Sequence, residues 1–402
     1  MKILIIPGGH NVCFELGLKK PLDLLAAAGK IPNYQARISG TASRRDIESA
    51  DMVIFQRSTG YRDVALLYYA EYKNKFIVYD IDDDLLSVPS GLGALSLYHN
   101  AKFRPRNITK FYKEADCVKA STEELGRRIS RLTSKKVMVV DRLPNDEQIY
   151  SPVLHSHDGK TRFICVVNYL PFVSALLKDV LADIIDEFKD RVSFTFYGVA
   201  PRDGFLESPH IHYIPLMPFD IFMKDFISRA ADAALAPLDI NHFTLCKSNN
   251  KFREYAARGL AGIYTDMPVY ASCVENGRTG FLVPNRPEAW HEAMKKIIEN
   301  PKATRNIGLA ARKFAEDNYT MGKYADWIKD NVLMTAYNAR PESRDLKSKI
   351  ACLLKYYFYY CYSLNIVHKF GNFLGLADYF FQVVKKDGLA VAVKKTLAYL
   401  KP

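Results

Sequence analysis

The sequence predicts an α/β fold in which two doubly wound parallel-sheet domains face a cleft, with a helical, basic and aromatic tail behind them. Three observations carry that prediction. Short β-branched apolar runs alternate with segments of helical spacing, and each run ends in a glycine-containing or polar turn. The alternation also stops and restarts around the polar stretch from Leu143 to His157, which holds two prolines. Short buried strands separated by helices build parallel sheets covered on both faces. Ligands of such sheets bind beyond the carboxyl ends of the strands.

The first domain, 1–148, opens with KILII, a buried strand by its pattern, then PGGH, then a helical segment from Phe14 to Ala28. MVIFQR, FIVYDI, DCVKAS and VMVVDR repeat the unit. Gly8, Gly9 and His10 follow the first strand, where backbone can approach an acceptor or a phosphate closely. Arg57 ends the second run, MVIFQR, and is an acceptor-side candidate. The third run ends in an acidic stretch, Asp80 to Asp84, in which four of five residues are carboxylates. Asp80-Ile81-Asp82 has the Asp-x-Asp form that can hold a divalent cation, because hard cations prefer clustered oxygen ligands. Two other readings stand beside the metal. Asp82, Asp83 and Asp84 can orient or deprotonate an acceptor hydroxyl. Alternatively, Asp80 and Asp83 cap the next helix and pair with Arg57 or Arg62. His99 is a further acceptor-side candidate.

The second domain, 149–320, carries six more strand candidates: RFICVVN, VSFTFYGV, IHYIPL, DAALAPL, AGIYTD and GFLVPN. Helical segments from Ala289 to Asn300, Ala303 to Asn318 and Met321 to Asn338 are expected to close it, with 321–344 as the closing element. The chemistry concentrates in DAALAPLDINHFTLCKSNNKFREYAARGLAGIYTD, where a strand leads through a loop to a helix opened by Lys247-Ser248. A helix amino end offers unpaired N–H groups and partial positive charge to a phosphate, and Lys247 and Lys251 add full charges. Glu254 lies on the same side, placed to accept hydrogen bonds from sugar hydroxyls. The plain alternative is a solvated face with an i, i+3 pair between Lys251 and Glu254.

From APLDINHF through KSNNKFREYAARG to ENGRTGFLVPNRPEAW and RKFAEDNYT, the chain resembles the donor-binding half of GT-B glycosyltransferases of the family-four, glycosyl-transferases-group-1 type. The resemblance covers roughly 160–330. It implies two Rossmann-like domains and a nucleotide diphosphate-sugar donor. It places Glu254 on the ribose, Lys247, Ser248 and Asn249 at the diphosphate, and Gly198 of FYGV ahead of the nucleotide pocket. LPN, Leu143 to Asn145, matches the usual interdomain crossing. The family fold implies that no metal or other cofactor is needed, and retention of anomeric configuration follows from the same resemblance. FQRS and VYDIDDDLLSVP resemble bacterial surface-polysaccharide members, which implies a glycan or lipid-linked acceptor. Two departures stand out. Cys246 occupies the position where many members carry a second glutamate, and Lys178 is the only cation near the segment where many carry a basic pair. These departures favour the rival expectation of a non-catalytic scaffold or glycan-binding subunit.

The formal charge of +12 favours phosphate-bearing partners. No nucleic-acid module is recognisable, so nucleic acid is not an expected partner. The seven scattered cysteines suit reduced thiols, and MKILIIPGG is too short for a signal-peptide core. The expected location is cytoplasmic, peripheral on the inner face of a membrane. The tail, 345–402, has nine lysines against two aspartates from Lys347 onward. Lys355 and five tyrosines interrupt its apolar stretch from Ile350 to Val367. That pattern fits an interfacial helix on an anionic membrane surface better than a transmembrane span. A helix packed on the protein, or one binding a partner, is the other reading.

Overall fold

The computed structural model describes residues 1–9, 11–92, 94–140, 142–151, 158–167, 170–198, 207–339 and 345–364. His10, Val199 and the part of the tail beyond 364 lie outside the described residues. The first sheet contains β1 (Ile3–Pro7), β2 (Gln35–Ala36), β3 (Met52–Gln56), β4 (Phe76–Ile81), β5 (Cys117–Ala120) and β6 (Lys136–Val139), in the order β2-β1-β3-β4-β5-β6. The second contains β7 (Thr161–Val166), β8 (Val192–Gly198), β9 (Ile211–Pro215), β10 (Ala233–Ala236), β11 (Ala261–Thr265) and β12 (Phe281–Val283), in the order β12-β11-β10-β7-β8-β9. All paired strands are parallel. The expected pair of Rossmann-like domains is what forms.

Strand side chains alternate between two cores on opposite faces of each sheet, as the period of two requires. In the first domain Leu4, Ile6, Ile77 and Tyr79 face one core, and Ile3, Ile5, Phe76 and Val78 face the other. The helix Met321–Trp327, which continues through the wider turns of Ile328–Leu333 into Met334–Asn338, does not close the second domain as its position in the chain suggests. Its Tyr324, Ile328 and Val332 pack with Ile3, Phe14 and Leu18 of the first domain, and the Tyr324 hydroxyl donates to Gly17 O at 2.9 Å. Apolar periodicity identifies a buried face but not which domain buries it.

Strand order places a switch point between β1 and β3 in the first sheet and between β7 and β10 in the second, where chain direction leaves a crevice at the carboxyl edge. Both crevices demand glycine nearby. A Cβ on Gly8 would lie 2.7 Å from the Arg57 carbonyl oxygen. Gly198 has φ +116°, and a Cβ there would lie 2.2 Å from Val167 O. Gly9 has open space around it.

The acidic run divides at the strand end. Asp80 is still in β4, fully enclosed, and its carboxylate takes a 2.7 Å hydrogen bond from the Lys119 ammonium on β5. Burial disfavours charge on either partner, and the attraction of Asp80 outweighs that cost enough to raise the Lys119 pKa. Removing one member of a buried pair strands the other. Asp80→Asn should therefore lower unfolding stability by about 3–5 kcal/mol, with Asp80→Asn/Lys119→Met recovering most of the loss, as read from urea midpoints.

Candidate functional site

The crevice of the second domain is built by the segment between β10 and β11. After Ala236 the Asn241 carboxamide accepts from the Phe243 and Thr244 amides at 3.0 Å each and folds the loop into a single 3-10 turn, Thr244–Cys246. The helix Asn250–Ala257 follows, three residues later than Lys247-Ser248 suggested, and buries Phe252, Tyr255 and Ala256. It ends at Gly259, φ +67°, where the Leu260 amide donates back to Tyr255 O at 3.0 Å. No side chain caps its amino end. The Lys251 ammonium lies 2.8 Å from the Glu254 carboxylate, so the expected i, i+3 pair is present.

The remaining donor-side candidates separate. Ser248 Oγ donates to Asn250 Oδ1 at 2.8 Å. Asn249 turns toward the interdomain crossing, donating to the Tyr319 hydroxyl at 3.0 Å and accepting from Arg253 Nε at 3.2 Å. Lys247 instead reaches across to the first domain. Its ammonium is 3.2 Å from Asp83 Oδ1 and 4.4 Å from the centre of the Phe243 ring.

Asp83 is one corner of a charged cluster at the β1/β3 switch point. Arg57 follows β3 with φ +50°, a backbone conformation uncommon for a residue with a side chain, and its amide donates to Asp80 O at 2.9 Å. Its guanidinium lies 3.1 Å from Asp82 Oδ2, 3.6 Å from Asp83 Oδ2 and 3.4 Å from Cys13 Sγ. Burial pushes the Asp83 carboxyl upward, but Lys247 and Arg57 outweigh it and hold the group below the usual carboxylate range. Asp84 stands apart: Arg128 Nη1 approaches it at 3.1 Å, and its other oxygen accepts from the Leu86 amide at 3.2 Å. Arg62 donates to the Ala42 carbonyl rather than to an aspartate of this run.

Asp80 and Asp82, the two carboxylates of the Asp-x-Asp pattern, are thus each paired with a cation of the protein, Lys119 and Arg57. Among the described residues no group of three or more His, Cys, Asp or Glu is placed to hold a metal ion. Two polar atoms beside the cluster, Asp82 Oδ1 and His99 Nδ1, are buried without a hydrogen-bond partner. Buried polar atoms are ordinarily paired, so each retains hydrogen-bonding capacity within the site. Burial, then the charges of Arg57 and Arg104, lower the His99 pKa to about 4, so its imidazole is neutral at pH 7.

Arg104 and Arg128 were not identified from the sequence. Arg104 is buried, donates to the Thr59 hydroxyl and stacks 3.4 Å from the centre of the Tyr98 ring. It belongs to the helix Phe103–Glu114, whose polar composition hides its spacing. Cys246 is fully buried against the first domain, where its carbonyl accepts from Thr122 Oγ1 at 2.9 Å. Burial first, and then Asp84, push its thiol up to about 12. A glutamate at this position would add a carboxylate near Asp84, Glu124 and Asp83.

No curated protein matches the chain. Residues 165–300 match the family Glycosyl transferases group 1. HepE of Anabaena, solved in complex with UDP and glucose, is similar with TM-score 0.56 and 14% identity over 83% of this chain and 100% of that one. Sucrose-phosphate synthase from Thermosynechococcus elongatus gives 0.55 and 11% over 84% and 100%. TarM of S. aureus gives 0.53 and 11% over 72% and 55%.

A neutral buried His99 makes stability depend on acid. With its pKa depressed from the ordinary 6.5 to about 4, the unfolded chain takes up the proton first. The contribution is complete above pH 6.5 and disappears as pH falls toward 4. His99→Gln should remove that component from a plot of unfolding free energy against pH. At the identities above, the structural likeness establishes the fold: two Rossmann-like domains facing a cleft in the GT-B arrangement, the second of which carries the match to glycosyl transferases group 1.

Proposed function

We propose that the protein is a glycosyltransferase that moves a sugar from a nucleotide diphosphate-sugar to a glycan or lipid-linked acceptor, in bacterial surface-polysaccharide synthesis at the cytoplasmic face of a membrane. One observation carries the reading: Lys247, at the approach to an uncapped helix amino end, meets the acidic turn of the opposite domain across the cleft at 3.2 Å. A diphosphate entering here meets the amides of that helix end and two lysines, which would stabilise charge building on the leaving group without a metal. Glu254 is then the ribose-binding group and Gly198 borders the nucleotide pocket. Asp82, Asp83 and His99 receive the acceptor, with transfer occurring with retention of configuration. The UDP, UDP with glucose, and UDP-glucose held in the HepE structures support a uridine diphosphate-sugar as the first donor to test.

Asp83 already pairs with Lys247, so a diphosphate and this carboxylate compete for one ammonium. UDP should raise the unfolding temperature of the wild type, because a ligand that binds only the folded form stabilises it. Lys247→Ala should weaken UDP binding about ten-fold or more, Glu254→Ala should weaken it as well, and Asp83→Asn should tighten it. Absence of any thermal shift with UDP or other nucleotide diphosphates would remove the donor site. The buried Cys246 and the Lys251–Glu254 pair favour the second reading, a non-catalytic scaffold. Nucleotide binding with no sugar release from any donor would establish that reading instead.

A further inference from the structure

We infer that the helix Leu346–Leu364 and the basic helix beside it form one docking face for a membrane leaflet rich in acidic phospholipid, set at the rim of the cleft. The inference rests on the proposed function only for what the docking would deliver.

Helix Leu346–Leu364 has two unlike halves. One half is packed: Cys352 and Tyr356 are buried, Tyr359 stacks on Tyr68, and Tyr356 and Tyr362 meet Tyr69 and Tyr61 of the helix Tyr61–Tyr72 with their rings tilted. The tail therefore begins by packing on the protein. The other half is apolar and faces outward. Ile350, Leu354 and Phe358 recur every four residues, and Leu354 and Phe358 are 66% and 63% exposed. A row of large exposed apolar side chains along an otherwise anchored helix marks an interaction surface. None of the described helices is long and apolar enough to cross a membrane, so this one would lie on the surface and not through it.

Charge identifies the occupant. Lys102, Arg106, Lys110 and Lys113 follow at steps of four, four and three, so they share one face of the adjoining helix Phe103–Glu114. Lys110 lies 5.7 Å from the centre of the Tyr359 ring, which sets this cationic row directly alongside the apolar one. On the opposite flank Arg44 lies 5.9 Å from the Tyr356 ring. There, a cavity of about 390 Å³ is lined by Arg44, Arg45, Arg62 and Tyr360. An apolar ridge between two cationic borders complements acyl chains below anionic headgroups, to which each Lys or Arg near the surface adds attraction. A second protein copy would bring its own cations against the same borders.

The orientation gives the surface a use. Tyr61 stacks on Phe103 at 4.9 Å and meets the tilted ring of Tyr362 at 4.7 Å, so the carboxyl end of the helix Leu346–Leu364 meets the amino ends of both neighbouring helices. Those ends are the cleft side of the first domain, because Arg104 reaches Thr59 from there. A leaflet on this face would present a lipid-linked acceptor at the edge of the space beside His99 and Asp83.

The experiment is sedimentation of the full chain with phosphatidylcholine vesicles, with and without phosphatidylglycerol. The wild type should partition onto the anionic vesicles, release in high salt and ignore the neutral ones. Leu354→Asp/Phe358→Asp and, separately, Lys102→Glu/Arg106→Glu/Lys113→Glu should each reduce partition about ten-fold or more. Circular dichroism melts would confirm that both variants fold, and removal of 365–402 should leave partition in place. Wild-type indifference to lipid charge overturns the inference, as does undiminished binding by the Leu354/Phe358 variant. Loss only on removal of 365–402 assigns the contact to that segment. A dimer abolished by the ridge variant, with no vesicle binding, assigns the face to a second copy. The assay needs no nucleotide, so its failure and failure of the donor site are read separately.

Discussion

The arrangement depends on how the turn Phe243–Lys247 of the second domain meets the first. Phe243 and Cys246 are counted among the first domain's core, and Lys247 ends the turn with its ammonium on Asp83. Parallel sheets collect loops of functional use at their carboxyl edges, but two such edges face each other only if something holds them so. Here the hold is partly apolar and partly ionic. Phe243 and Cys246 contribute burial, which is insensitive to small displacements. The ion pair and the Thr122 to Cys246 hydrogen bond set position and register.

Arg57 serves the same end from the first domain. Its left-handed backbone conformation turns the chain sharply after β3 and directs its guanidinium at two successive aspartates. The surrounding contacts over-determine this conformation: the Arg57 amide is bonded to Asp80 O, and the Gly8 amide to Gln56 O at 2.7 Å. Strain of this kind persists where neighbouring structure holds it, and such places concentrate at functional sites. The run of aspartates thus reads as three environments in sequence. Asp80 belongs to the interior, Asp82 and Asp83 to the cleft, and Asp84 to the contact with Arg128.

Much of the fold was legible because strands leave a strong local signal. Each apolar run quoted from the sequence is a strand, whereas β2 spans two residues, Gln35–Ala36, and has no run to recognise. The helix Phe103–Glu114 was missed because its charged face outweighs its apolar one and Pro105 sits in its first turn, where proline is tolerated. The site was legible as two halves. Phosphate-binding character at Lys247 and carboxylates at Asp82 and Asp83 are visible in composition and spacing. That Lys247 and Asp83, 164 positions apart, touch each other is a property of packing. So is the inward turn of Asn249, which looks like a diphosphate contact in sequence and binds Tyr319 in space.

Because the helix beginning at Met321 returns to the first domain, the chain passes between the domains twice, once near Asn145 and again just after Tyr319. The two passages are joined: the Asn145 amide donates to Tyr319 O at 2.9 Å, and its carboxamide donates to Arg253 O at 3.0 Å. Tied in this way, the two passages act as one joint, and moving either strand means moving the other or giving up the Asn145–Tyr319 hydrogen bond.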